Sequence, residues 1–204
     1  MKIVVAITAA SGAIYARQLL EMLIESAEVE RIAVIYSTNA RAVVAHEGEK
    51  MPNSEKIELF ENENMFASPA SGSARWDAMV VVPSSVGTIG RVASGVSQTL
   101  IERAADVMLK ERRRLIFVVR ETPYSLIHLR NMTTLTEAGA VILPATPSFY
   151  SRPETIEAVC QTVTERITAM LGLSGERYEW GKKRKTESGK LLVFSEEIGD
   201  RSEE

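Results

Sequence analysis

Lys2-Ile-Val-Val-Ala-Ile-Thr8, running on into Ala9-Ala10-Ser11-Gly12-Ala13, decides the fold. The apolar run is rich in β-branched residues and too short to span a membrane, so it reads as a central strand. The small residues after it let backbone N–H groups approach a ligand at the positive end of the helix that follows. This predicts a nucleotide or phosphate site near Ser11.

Outward from that strand, residues 15–25 carry Leu19, Leu20, Leu23 and Ile24 at helical spacing, and 32–37 read as a second buried strand, which completes a βαβ unit. A short helix is expected over 39–47, a possible edge strand at 57–60, and a central strand at 78–82 closed by Pro83-Ser84-Ser85. Helices at 85–93 and 100–113, a strand at 115–119, a helix at 125–138 and a strand at 141–143 follow. The last helix, 153–171, is expected to carry Pro153 in its first turn. Strands alternating with helices imply a parallel sheet covered on both faces. Residues 1–172 read as one domain and 173–204 as a polar tail, whose Leu191-Leu-Val-Phe194 is expected to dock on the same or a neighbouring subunit.

With 204 residues, 45% of them hydrophobic, the chain can bury one substantial core. A net charge of -3 argues against a protein that binds nucleic acid by counterion release. The single Cys160 excludes an internal disulfide framework, and the opening residues lack the pattern of a signal peptide, so a cytoplasmic protein without a membrane partner is expected. His46, His128 and Cys160 are too few for an ordinary transition-metal site, and no metal is predicted. Both histidines read as structural and Cys160 as a small buried hydrophobe.

Ligands of open parallel sheets gather at the carboxyl ends of the strands. The Ser11 loop, Ser37, the Ser84-Ser85 loop, Arg120-Glu121 and the 144–150 loop each follow a predicted strand and so share one rim. Taken singly, Ser11 and Ser85 read as helix N-caps; the convergence of all five strand ends favours a site. A dinucleotide fingerprint is missing, since the first turn offers only Gly12, and a mononucleotide such as a flavin fits better. Arg103 and Lys110 lie about 10 Å apart along one helix face. They either hold phosphate or belong to a solvated face on which Asp106 pairs with Lys110 and Glu102 lies nearby. Glu121 is either a general acid/base or half of a salt bridge across the rim. Glu47, Tyr150 and Arg166 stay open between site and surface.

Leu100-Ile-Glu-Arg-Ala-Ala-Asp-Val-Met-Leu-Lys-Glu-Arg-Arg113, Val119-Arg-Glu-Thr-Pro123, Ser125-Leu-Ile-His-Leu129 and Pro147-Ser-Phe-Tyr150 resemble the flavin prenyltransferase family, and the resemblance runs from Ile3 to about Gly172. It implies a three-layer Rossmann-like or flavodoxin-like α/β fold. It also implies transfer of a dimethylallyl group from dimethylallyl monophosphate to N5 and C6 of reduced FMN, giving a cofactor for a partner decarboxylase. By the same resemblance, Ala9, Ala10, Ser11, Ser37, Ser85, Val86, Gly87, Thr88 and Arg120 would contact FMN. Glu47, Arg103, Lys110, Tyr150 and Arg166 would receive the prenyl phosphate, Trp180 would help close the pocket, and Glu121 would move protons. Ser11, Glu47, Lys110 and Glu121 are thereby the catalytic candidates, and a homo-oligomer is implied, a dodecamer with sites at subunit interfaces. Ala9 stands where the family usually has glycine, which would crowd the flavin or oppose a positive φ. Two other readings remain. An FMN-dependent cysteine-type decarboxylase of similar fold expects Pro-Ala-Ser-Ala-Asn-Thr where this chain has Pro83-Ser-Ser-Val-Gly-Thr88; a non-catalytic flavin-binding module would need neither Glu121 nor Lys110.

Overall fold

Six parallel strands form the centre of the computed structural model, which describes residues 1–175 and the backbone of 184–185 and 191–192. They are β1 (Lys2–Ile7), β2 (Arg31–Tyr36), β3 (Ile57–Phe60), β4 (Ala78–Ser84), β5 (Arg114–Val119) and β6 (Val141–Pro144). Their order across the sheet is β3-β2-β1-β4-β5-β6. The helices are α1 (Ala13–Glu25), α2 (Ala40–His46), α3 (Val86–Ala93), α4 (Leu100–Lys110), α5 (Leu126–Glu137) and α6 (Ile156–Leu171). The expected α/β class with helices on both faces is the fold observed.

The period-2 geometry of a strand explains why β1 is apolar from Ile3 to Ile7. Ile3, Val5 and Ile7 face a core built with α1 and α6, where Leu19, Leu23, Val163 and Ile167 pack. Val4 and Ala6 face the opposite core, where Ile89 of α3, Ile101, Ala104 and Met108 of α4 and Leu135 of α5 pack. A residue pointing to either side meets a hydrophobic layer, so a polar residue anywhere from Ile3 to Ile7 would be desolvated.

Three boundaries differ from expectation. β4 does not close at Pro83 but runs to Ser84, with its register against β5 shifting between Val81 and Ser84. α4 ends at Lys110, because Arg112 takes a left-handed φ of 53° that turns the chain into β5. Pro153 is outside α6: Arg152 is also left-handed, and the helix starts only where the Thr155 hydroxyl caps the Ala158 N–H. Glu102 is likewise no solvated-face residue, since only 2% of it is exposed.

The chain divides into two compact units, Met1–Ser174 and Gly175–Glu204. In the second, Arg184–Lys185 pair antiparallel with Leu191–Leu192. Trp180 and the docking expected of 191–194 lie outside what is described. Among the described residues, no helix is long and apolar enough to cross a membrane.

Candidate functional site

Because every strand of the sheet is parallel, all carboxyl ends fall on one rim, and the strand order reverses direction between β1 and β4. That reversal opens a crevice there, because the connections from the two strands leave toward opposite faces. Thr8 stitches the crevice floor. Its Oγ1 donates to the Pro83 carbonyl (2.7 Å) and accepts from the Ser85 N–H (2.8 Å). The neighbouring ends are tied in by backbone bonds: Ser37 N donates to the Ile7 carbonyl (2.9 Å), and Arg120 N to that of Ser84 (3.2 Å). The Ser11, Ser37, Ser85 and Arg120 loops therefore converge as the sequence implied.

On the β1 side the chain supplies its own anion. The Glu47 carboxylate, just past α2, accepts the Gly12 N–H at 3.0 Å and the Ala13 N–H at 2.7 Å. A helix N-terminus favours negative charge, and this one has it built in. Glu47 thus occupies the Gly12 and Ala13 amides themselves, beside the nucleotide or phosphate site expected near Ser11. Burial opposes ionisation of Glu47, but the Ser11 hydroxyl, the Ala13 and Gly12 amides and the Arg120 charge outweigh it and hold its pKa below the ordinary value. Gly12 must be glycine. Its φ is 106°, and a Cβ would come within 2.9 Å of the Tyr15 ring. Arg120 closes this side by donating from Nε to the Ser11 carbonyl (3.2 Å). Ala9 is exposed and lies outside the positive-φ set, whose non-glycine members are Arg75, Arg112 and Arg152, so its backbone needs no glycine.

On the β4 side, Ser85 is the N-cap of α3 and a rim residue at once: its Oγ accepts the Thr88 N–H (3.3 Å) and lies 3.0 Å from Thr88 Oγ1. Val86 and Gly87 are the first helical residues, so their N–H groups have no intrahelical acceptor. Gly87 is exposed, and a Cβ there would meet only Arg91, at 3.5 Å. Backbone donors, two hydroxyls and an open glycine suit a phosphate-bearing mononucleotide.

Glu121 follows β5 half-buried, and its Oε1 accepts the Thr122 N–H (2.9 Å). It takes no part in an ion pair among the described residues, so the salt bridge across the rim does not form. Other candidates are not brought to the crevice within one chain. Lys110 closes α4, about 15 Å along the helix axis from Leu100, and pairs with Glu111. Arg103, not Lys110, takes Asp106, at 2.6 Å, while its Nε holds the Ala70 carbonyl. Arg166 is exposed on α6, about 15 Å along the axis from Ile156. Tyr150 is exposed in the loop after β6, which is seated on α6 by the Ser148 N–H donating to Thr162 Oγ1 (3.0 Å).

Sequence reasoning missed three structural participants, Thr8, Arg91 and Glu102. Glu102 accepts from Arg91 Nε and from the Gln98 and Thr99 N–H groups. Its burial opposes ionisation, but these donors prevail and hold the pKa below the ordinary value. The available signals were Thr8, a hydroxyl ending an apolar run, and Thr99-Leu-Ile-Glu102, a capping-box pattern that ties the Glu102 carboxylate back to the start of α4; only the Arg91 contact had no local sign.

Known proteins share this fold. The Flavoprotein family model matches residues 1–170. The flavin prenyltransferase UbiX of Methanocaldococcus jannaschii is 40% identical over 185 residues, covering 89% of this chain and 99% of the relative. The crystal structure of AnUbiX (PadA1) in complex with FMN and dimethylallyl pyrophosphate superposes with a TM-score of 0.80 at 39% identity, covering 89% of this chain and 98% of that one. A dodecameric FMN-dependent UbiX-like decarboxylase from Escherichia coli O157:H7 also reaches 0.80, at 34% identity, with 88% and 100% covered.

Proposed function

The chain belongs to the flavin prenyltransferases of the Flavoprotein family, and on that premise we propose how its own residues carry out the transfer and which donor they accept. It is a transferase acting on FMN, and the observation that carries the reading is the crevice between the Ser11–Glu47–Arg120 cluster and the Ser85–Thr88 cap. The donor in this reading is dimethylallyl monophosphate. Reduced FMN supplies the nucleophilic N5 and C6 that take up the C5 unit as phosphate leaves.

Ala9, Ala10, Ser11, Ser37, Arg120 and the Ser85, Val86, Gly87 and Thr88 turn hold the flavin, with Ser11 beside its reacting edge. Glu47 keeps Ser11 and the α1 amides in place while remaining ionised at neutral pH. Glu121, half-buried and unpaired with any cation among the described residues, moves the proton released on ring closure. Arg103, Lys110, Arg166 and Tyr150 stabilise the charge that develops on the leaving phosphate. Since one chain keeps Lys110 and Arg166 well away from the rim, they act in a neighbouring copy's crevice within a homo-oligomer, here a dodecamer. The exposed Leu126, Ile127 and Leu129, which follow β5, and Phe149 and Tyr150, which follow β6, supply the apolar surface such an assembly would cover. The product serves a decarboxylase, and we place the protein in the cytoplasm, in keeping with its lone Cys160.

Anaerobic incubation with reduced FMN and either dimethylallyl monophosphate or the diphosphate, followed by mass spectrometry of the released flavin, tests this. The flavin should gain one C5 unit with the monophosphate. A flavin modified only by the diphosphate overturns the donor assignment, and one unmodified by both overturns the transfer reading for this chain.

A further inference from the structure

The loop after β6 turns back onto the helix it leads into. Its start is held to the sheet, where the Ala145 N–H donates to the Val119 carbonyl (2.8 Å). Further on, the Ser148 N–H donates to Thr162 Oγ1 (3.0 Å), nearly two turns inside α6. Phe149 to Arg152 then form a turn, closed by the Arg152 N–H on the Phe149 carbonyl (2.9 Å) with Arg152 left-handed. Tyr150 lies inside that turn, so its place is set by where the turn begins, next to Ser148.

Thr162 is built to accept. Its hydroxyl hydrogen goes to the Val159 carbonyl one turn back (2.8 Å), which leaves its lone pairs for the Ser148 N–H. That half-buried N–H has no second acceptor among the described residues, so without the hydroxyl the loop is untied at this point. Arg166 stands four residues beyond Thr162, on the same helix face and about 6 Å along the axis. It is exposed and enters no ion pair among the described residues. From Ser148 to Tyr150 the chain spans at most about 7 Å. A loop docked at Thr162 therefore brings the Tyr150 phenol and the Arg166 guanidinium within reach of one anion.

We propose that Thr162 is a positioning residue that fixes the Tyr150 turn beside Arg166, so that the two side chains meet the leaving phosphate as one unit carried by a single chain. This rests on the reading that Tyr150 and Arg166 receive the prenyl phosphate. Serine can replace Thr162 in this role, because it keeps the oxygen that accepts from Ser148. Valine cannot, although its shape is the same.

The test is anaerobic prenyl transfer by the full chain at saturating reduced FMN, with dimethylallyl monophosphate varied, for wild type, Thr162→Val, Thr162→Ser, Tyr150→Phe and the Thr162→Val/Tyr150→Phe double variant. Thr162→Val should lower kcat/KM for the donor about fivefold, the worth of one hydrogen bond, chiefly through KM. Thr162→Ser should stay near wild type, FMN Kd should be the same in all five proteins, and the double variant should be no worse than Tyr150→Phe alone. Losses that multiply in the double variant, a Thr162→Ser as impaired as Thr162→Val, or a rise in FMN Kd alongside the donor loss would each overturn the proposal and leave Thr162 a packing residue. Wild-type kinetics for Thr162→Val would overturn it as well. Wild-type kinetics for Tyr150→Phe would overturn it by a different route, by removing the phosphate from Tyr150 while leaving the transfer itself intact. If Thr162→Val does not fold, Thr162→Ala, which also lacks the hydroxyl and favours a helix, carries the same expectations.

Discussion

Glu47 does at this rim what a bound anion does in many α/β proteins. Its carboxylate faces the Gly12 and Ala13 N–H groups at the start of α1, so part of the ligand-binding architecture exists before any ligand arrives. The consequence is a pH signature. Glu47 has a lower pKa folded than unfolded, so the stability it contributes is fully present above the ordinary carboxylate pKa and is lost as pH falls through the depressed folded value. Glu47→Gln keeps the shape and removes the charge, which should cost about 1 kcal/mol at pH 7 through the dipole and charge-assisted bonds. The wild-type and variant stabilities should then converge as pH is lowered through the carboxylate range. Urea titrations at a series of pH values give both curves; parallel curves would mean that the Glu47 charge is not what holds the turn. Glu102, depressed in the same direction, gives both proteins a common acid slope and does not obscure the difference.

Among the elements, the central strands β1, β2, β4 and β5 were legible because nearly all of each is buried on both faces and so must be apolar there, as the zero exposure of β1 from Ile3 to Ile7 shows. The rim was legible for a topological reason: in a parallel sheet every strand's last residue lies on one side, whatever the strand order. Helix ends were less so. The reading of α6 took Pro153 as a first-turn signal, whereas the left-handed Arg152 and the Thr155 cap begin the helix at Ile156. A proline signals a helix start only if the residues around it are free to be helical, and one-dimensional spacing does not reveal that Arg152 is not. The ion pair of Glu102 was hidden for a similar cause, because its partner Arg91 comes from another helix. The α6 correction has a direct test: Thr155→Ala should destabilise the fold by about 1 kcal/mol, the usual worth of an N-cap, while Pro153→Ala should change it by less than about half of that. Thermal melts of both variants decide it, and the reverse ranking would restore the helix to Pro153.

At the scale of the whole molecule, the chemistry assigned to this chain is divided between places that one copy does not join. Glu121 is at the rim, while Lys110 ends α4 beside Glu111, at the approach to the amino end of β5. A reaction needing both requires either a large rearrangement of a well-packed helix or a second copy, and dense cores resist the former. Co-expression separates the two. Glu121→Gln and Lys110→Ala should each abolish prenyl transfer alone. If every site takes Glu121 from one copy and Lys110 from another, random mixing of the two variants restores both residues in roughly a quarter of the sites. Activity of the purified mixed oligomer should therefore recover to about that fraction of wild type, while variants made separately and combined without subunit exchange stay inactive. A site drawn from a single chain predicts no recovery at any mixing ratio, because every copy then carries one of the two lesions, and that result would return Lys110 to the surface role its pairing with Glu111 describes.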